Sequence, residues 1–83
     1  MQPVGPELLG QVLDEHGPAL RLYARQWCRC PDDVVQQALL QLMRQREAPH
    51  NLVPWLYRVV RNAAISAWRA EWRRKKHEEE ADA

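Results

Sequence analysis

Phenylalanine is absent from this 83-residue chain, glycine occurs three times, cysteine twice and serine once, as Ser66. So little glycine, with no apolar alternation between turn residues, argues against strands and hairpins. No apolar run approaches the roughly 20 residues of a membrane span, so no membrane partner is expected. Met1-Gln2-Pro3-Val4-Gly5-Pro6-Glu7 has neither the basic start nor the apolar stretch of a signal peptide. Two cysteines make no disulfide scaffold, and Cys28 and Cys30, two residues apart, do not face each other on a helix. His16, His50 and His77 lack the paired spacing of zinc ligands, so no metal site is expected. A cytoplasmic setting fits these absences.

Catalytic groups are as scarce. The close carboxylates are Asp14/Glu15, Asp32/Asp33 and the terminal acids, all better read as caps or solvated charge. There is no glycine-rich phosphate loop and no nucleophile motif. His16 fits a structural position better than a general base. Neither an enzyme nor a cofactor is expected.

What is present is ordinary for a globular protein: 46% hydrophobic residues, 28% charged residues and a net charge of +1. The length suits one small domain, with a core over about 7–76 and flexible ends at 1–6 and 77–83. Helical periodicity appears three times. From Glu7 to Cys28, residues Leu9, Val12, Leu13, His16, Leu20, Tyr23 and Trp27 share a face, with Gly17-Pro18 interrupting. Proline cannot donate the helical bond to Asp14, so the segment is one kinked helix or two short ones; the unbroken register favours the kink. A second helix runs from Pro31 to near Arg46, with Asp32 and Asp33 at its positive end. Val35, Ala38, Leu39 and Leu42 form its stripe, with Val34 and Met43 beside it. Asp33, Gln36, Gln37, Leu40 and Arg44 lie opposite. Asn51 is a candidate N-cap for a third helix, from Leu52 to about Lys76, after which the acidic end is expected to fray. The sequence therefore reads as an all-α bundle of three to four helices, the last one long.

That last helix has two unlike sides. Leu52, Leu56, Val59, Val60, Ala63, Ala67 and Ala70 form the inward stripe, whereas Arg58, Arg61, Ile65, Trp68, Arg69 and Trp72 lie outward. Between Arg58 and Lys76 seven basic residues face a single acid, Glu71. Cations interleaved with exposed rings suit a single nucleic-acid strand, because they neutralise phosphates while the rings stack unpaired bases. The same pattern also suits pairing with a helix of another protein.

The second and third helices together bear a resemblance. Asp32-Asp33-Val34-Val35-Gln36-Gln37-Ala38-Leu39-Leu40-Gln41-Leu42-Met43-Arg44 is similar, without gaps, to the E-D-L-V-Q-E-x-F-L-x-L-W-R helix of sigma-70-type RNA polymerase sigma factors. Trp55-Leu56-Tyr57-Arg58-Val59-Val60-Arg61-Asn62-Ala63-Ala64-Ile65-Ser66-Ala67-Trp68-Arg69 resembles the A-W-L-x-R-I-A-R-N-x-A-I-D-x-x-R helix that follows it. His16-Gly17-Pro18-Ala19-Leu20 with Tyr23-Ala24 fits the opening helix of the same domain. The likeness covers about Leu8 to Lys76 and is to region 2, in the extracytoplasmic-function group.

That resemblance implies a transcription-initiation domain with two partners. Core RNA polymerase would bind through its β′ clamp helices, at Asp33, Gln36, Gln37, Leu40 and Arg44. Promoter DNA would bind by the non-template strand of the −10 element, flipping a base into a pocket by the loop before the third helix. This implicates His50, Asn51, Trp55, Arg58, Arg61, Asn62, Trp68 and Arg69. An anti-sigma factor is a further implied partner. The other reading keeps the sigma fold as a protein-interaction module without promoter opening. Gln37 and Ser66 depart from the family's acids. The resemblance also implies a separate −35-binding domain that these residues do not encode, so a fragment is expected rather than a free-standing region 2.

Overall fold

The structure, a computed structural model, describes residues 3–82. Helix α1 spans Pro6–Ala24, α2 spans Pro31–Met43 and α3 spans Leu52–Asp82. Each helix packs on both others around one core. The all-α expectation holds, with three helices among the described residues.

Pro6 opens α1, where its missing N–H costs nothing, and the Gly5 carbonyl accepts the first helical bond from Leu9 N–H at 3.1 Å. Pro18 lies inside α1 without ending it. The helix survives because Leu20 and Ala24, beyond the proline, are buried with Leu8 and Val12 before it. The segment expected to reach Cys28 stops at Ala24, where residues 25–27 form a turn. Its buried face is also rotated from the expected one. Leu8 is buried while Leu9 packs half-buried against the core, Leu13 is exposed, and the small Gly17 and Ala24 are buried. His16 is half-buried, with Nε2 3.8 Å from Glu15 Oε2.

Pro31 starts α2, and Asp32 and Asp33 follow in its first turn. Arg21 Nε of α1 lies 3.1 Å from Asp32 Oδ1 in an exposed ion pair. Val34, Val35, Ala38 and Leu42 are buried, while Leu39 is half-buried and Met43 is outside. The helix ends at Met43 rather than near Arg46, with Arg44 N–H and Gln45 N–H folding back on the Gln41 and Leu42 carbonyls.

Leu56, Val59, Val60 and Ala64 are the buried residues of α3. Ala63 and Ala67 are half-buried and Ala70 is exposed, a correction to the expected alanine stripe. The cause is length: α1 and α2 have 19 and 13 residues, whereas α3 has 31 and outruns them. At about 1.5 Å per residue α3 is about 46 Å long, and it sets the 56 Å long axis of the molecule. The radius of gyration is 15.2 Å, against about 12 Å for an ordinary domain of this size.

The helix was expected to end near Lys76 and continues to Asp82. The spacing places Arg74, Lys75 and Lys76 four residues before Glu78, Glu79 and Glu80, on the same faces. Pro3 and Glu47 form a single antiparallel bridge that draws the start of the chain to the α2–α3 connection. Met1, Gln2 and Ala83 lie outside the described residues.

Candidate nucleic-acid and polymerase interfaces

The outer face of α2 presents Asp33, Gln36, Gln37 and Leu40 to solvent, and Arg44 continues it at the C-cap. Leu40 is 54% exposed, with the exposed Met43 one turn on and polar side chains around them. An apolar side chain so placed does nothing for the core.

The residues expected on the strand-binding side fall into two clusters along α3. The first is at its N-terminus. Asn51 and His50 form an exposed turn, and the Asn51 carbonyl accepts Trp55 N–H at 3.0 Å, starting the helix. Asn51, Trp55 and Arg58 line a cleft of about 280 Å³ with Pro49 and Pro54. The two prolines fix backbone angles on both sides of the turn, so the cleft floor is stiff. Trp55 is half-buried and Arg58 is exposed, which puts a ring and a cation side by side. His50 does not line the cleft.

The second cluster lies about 20 Å further along the helix, thirteen residues at about 1.5 Å each. Here Trp68 and Arg69 line a groove of about 270 Å³ with Ile65, Gln26 and Trp27. Trp68 is 52% exposed. Arg61 and Asn62 are exposed between the two clusters and line neither.

The sequence pattern missed the part played by the α1–α2 turn. Beside the Trp68 groove is a cleft of about 240 Å³, lined from the turn by Arg25, Gln26, Trp27, Cys28 and Arg29, and from α3 by Trp68, Glu71, Trp72 and Lys75. The turn is stitched by backbone bonds: Gln26 N–H to the Tyr23 carbonyl at 3.3 Å, and Trp27 N–H and Cys28 N–H to the Ala24 carbonyl at 3.0 and 3.1 Å. The Cys28 thiol adds a bond to the same carbonyl at 3.6 Å. Trp27 is further held edge-on by Tyr23, ring centroids 4.7 Å apart. On the outer side Lys76 Nζ lies 5.3 Å from the centre of the Trp72 ring. The available signal was two arginines flanking a tryptophan next to α3's basic end; helical periodicity placed Trp27 on the core side, and it does pack half-buried against the core while also lining the cleft.

Among the described residues no three histidine, cysteine or acidic side chains cluster as a metal site, and no helix is long and apolar enough to cross a membrane. The Cys30 thiol is clearly displaced among the described residues: burial, then a hydrogen bond with Cys28, then the negative charges of Asp33 and Glu71 push it up from 9.0.

No curated protein and no solved structure matches the chain. Residues 12–74, running from α1 through the basic stretch of α3, match sigma-70 region 2. That span contains both outward faces described above, and the chain belongs to the sigma-70 region 2 family, a non-enzymatic regulatory domain for RNA polymerase binding and promoter recognition.

Proposed function

We propose that this domain docks on the β′ clamp helices of core RNA polymerase through α2 and melts the −10 promoter element by capturing its non-template strand along α3. Asp33, Gln36, Gln37, Leu40 and Arg44 form the docking face. Leu40 is its centre, because burying an exposed leucine against a partner removes apolar surface from water. Gln37 leaves that face one negative charge poorer than the family pattern, so shape and apolar contact carry more of the docking.

On α3, Asn51, Trp55 and Arg58 receive a flipped base at the cleft between Pro49 and Pro54, with His50 at its edge. Arg61, Asn62, Trp68 and Arg69 guide the strand along the helix. Unpaired bases offer faces and edges that a duplex hides, so capturing them favours strand opening with no nucleotide hydrolysis. The observation that carries this reading is the placement of the Asn51–Trp55–Arg58 cleft at the head of a helix side that carries the exposed Arg58, Arg61 and Arg69. The group within the family is the extracytoplasmic-function type, and the setting is the cytoplasm, where polymerase works. An anti-sigma factor would compete for one of these two faces.

The test is a pull-down with core polymerase and transcription from a promoter panel, alongside binding of single-stranded −10 oligonucleotides at several salt concentrations. Retention by polymerase with salt-sensitive strand binding supports the proposal. Retention with no strand binding leaves a protein-interaction module that does not open promoters.

A further inference from the structure

Beyond the strand path just described, we infer that the α1–α2 turn supplies a second nucleotide-binding cleft, in which an unpaired base packs against Trp68 and Trp72 while Arg25, Arg29 and Lys75 hold the flanking phosphates. This inference rests on the strand-capture reading and extends it to an element with no assigned role. The cleft of about 240 Å³ between the turn and α3 has three cations on its lining and one half-buried acid, Glu71. Trp68 and Trp72 are 52% and 54% exposed, which is large for tryptophans of a folded helix. A base has a flat face to offer these rings only when it is unpaired.

Rigidity supports the assignment. Four backbone bonds fold residues 25–28 onto the end of α1, and Trp27 is held by the Tyr23 ring. The turn therefore presents its arginines from a fixed base. The cleft lies further along the same helix. Thirteen residues of α3 separate Trp55 from Trp68, about 20 Å along the axis and about 140° around it, so a strand that joins the two clefts winds partly around α3 and needs about six nucleotides or more at about 3.4 Å each. One strand can thus be held at both ends of the stripe.

The probes are labelled single strands of four and ten nucleotides and a ten-base-pair duplex, titrated into the 83-residue chain and followed by fluorescence anisotropy. Only the ten-nucleotide strand can bridge both clefts, so it binds about tenfold more tightly than the four-nucleotide one. Arg25→Gln with Arg29→Gln, and separately Trp72→Ala, remove most of that gain and leave four-nucleotide binding within about twofold. All three side chains are exposed, so circular dichroism should show an unchanged helix content. A length profile in these variants equal to the parent's overturns the inference, as does a parent with no gain from length or a duplex bound as tightly as the strand. Arg58→Gln with Arg61→Gln separates the two ideas. If that variant weakens strand binding and the turn variants do not, the strand-capture reading stands and the second cleft falls. If only the turn variants weaken binding, the second cleft stands and the strand path along Arg58 and Arg61 falls.

Discussion

The ring of Tyr23, on α1, meets that of Tyr57, on α3, edge-on with centroids 4.9 Å apart. Since Tyr23 also holds Trp27 edge-on, three aromatic rings link α3, α1 and the turn after it. The contact ties the two helices at the end of α1, where the turn begins. Edge-to-face pairs contribute about 0.5–1.5 kcal/mol beyond their buried area. A double-mutant cycle of Tyr23→Leu and Tyr57→Leu, read by urea unfolding, should return a coupling energy in that range. Additive single effects would show that the two rings touch without stabilising each other.

How far the residues announced this arrangement depends on what each signal measures. Hydropathy at helical spacing located all three helices, because Val12, Leu20, Val35, Leu42, Leu56 and Val60 are both apolar and buried. It misplaced the buried arc of α1 by about one residue, choosing Leu9 over Leu8. Gly17 and Ala24 carry almost no hydropathy, yet both are buried. In α3 the expected stripe took Ala63, Ala67 and Ala70 and passed over Ala64, which is the buried one, while Ala70 is exposed beyond the ends of the shorter helices. The outward faces were easier to read, since charge next to an exposed ring has no use in a core. The turn cleft was not legible, because its two halves are about forty residues apart in the chain and only tertiary packing joins them.

Cys30 sets a pH dependence. Its thiol is pushed up from 9.0 mainly by burial, with Cys28, Asp33 and Glu71 adding to the shift. The folded state therefore holds this proton more tightly than the unfolded chain does. The resulting stability is fully present below the ordinary thiol range, and is lost as pH climbs through the unfolded and then the folded value. Urea midpoints of the parent should fall from about pH 8.5 upward more steeply than those of Cys30→Ser. Cys30 should also react with iodoacetamide more slowly at pH 8 than an unhindered peptide thiol. Equal rates and parallel midpoints would contradict the assignment.

Gly10 and Gly17 offer a route to a more stable domain. Both are helical, neither has a positive φ, and an added Cβ meets nothing within 4 Å at Gly10 and only Leu13 Cδ2 at 4.0 Å at Gly17. Alanine in a helix interior is favoured over glycine by about 0.5–1 kcal/mol. Each substitution should therefore raise Tm by about 2–8 °C in a domain this small. A lowered Tm for Gly17→Ala would mean that the α1 packing there is tighter than the structure shows.

Leu40 separates docking from folding. At 54% exposure its side chain contributes little to the core, so Leu40→Asp should leave Tm within about 2 °C. At the centre of an interface, a buried leucine replaced by a charge costs about 2 kcal/mol or more, which weakens polymerase binding at least about thirtyfold. Leu42, two residues away and fully buried, is the control. Leu42→Ala should unfold the domain by about 2–5 kcal/mol. Loss of polymerase binding in Leu40→Asp with an unchanged melt would place the contact on this face of α2, while undiminished binding would move it elsewhere.

Arg58 and Arg61 provide the quantitative test of strand capture, since both are exposed and neither supports the fold. Each phosphate neutralised on a single strand adds about 0.7 to the slope of log affinity against log salt. Arg58→Gln and Arg61→Gln should each lower that slope by about 0.7, and the double variant by about 1.4, with the melt unchanged. Trp55→Ala should behave differently, lowering affinity at every salt concentration and leaving the slope alone, because a stacked ring releases no counterions. A slope unaffected by the arginines would mean that the cationic stripe does not track the strand. A slope changed by Trp55→Ala would mean that the cleft between Pro49 and Pro54 positions phosphate rather than base.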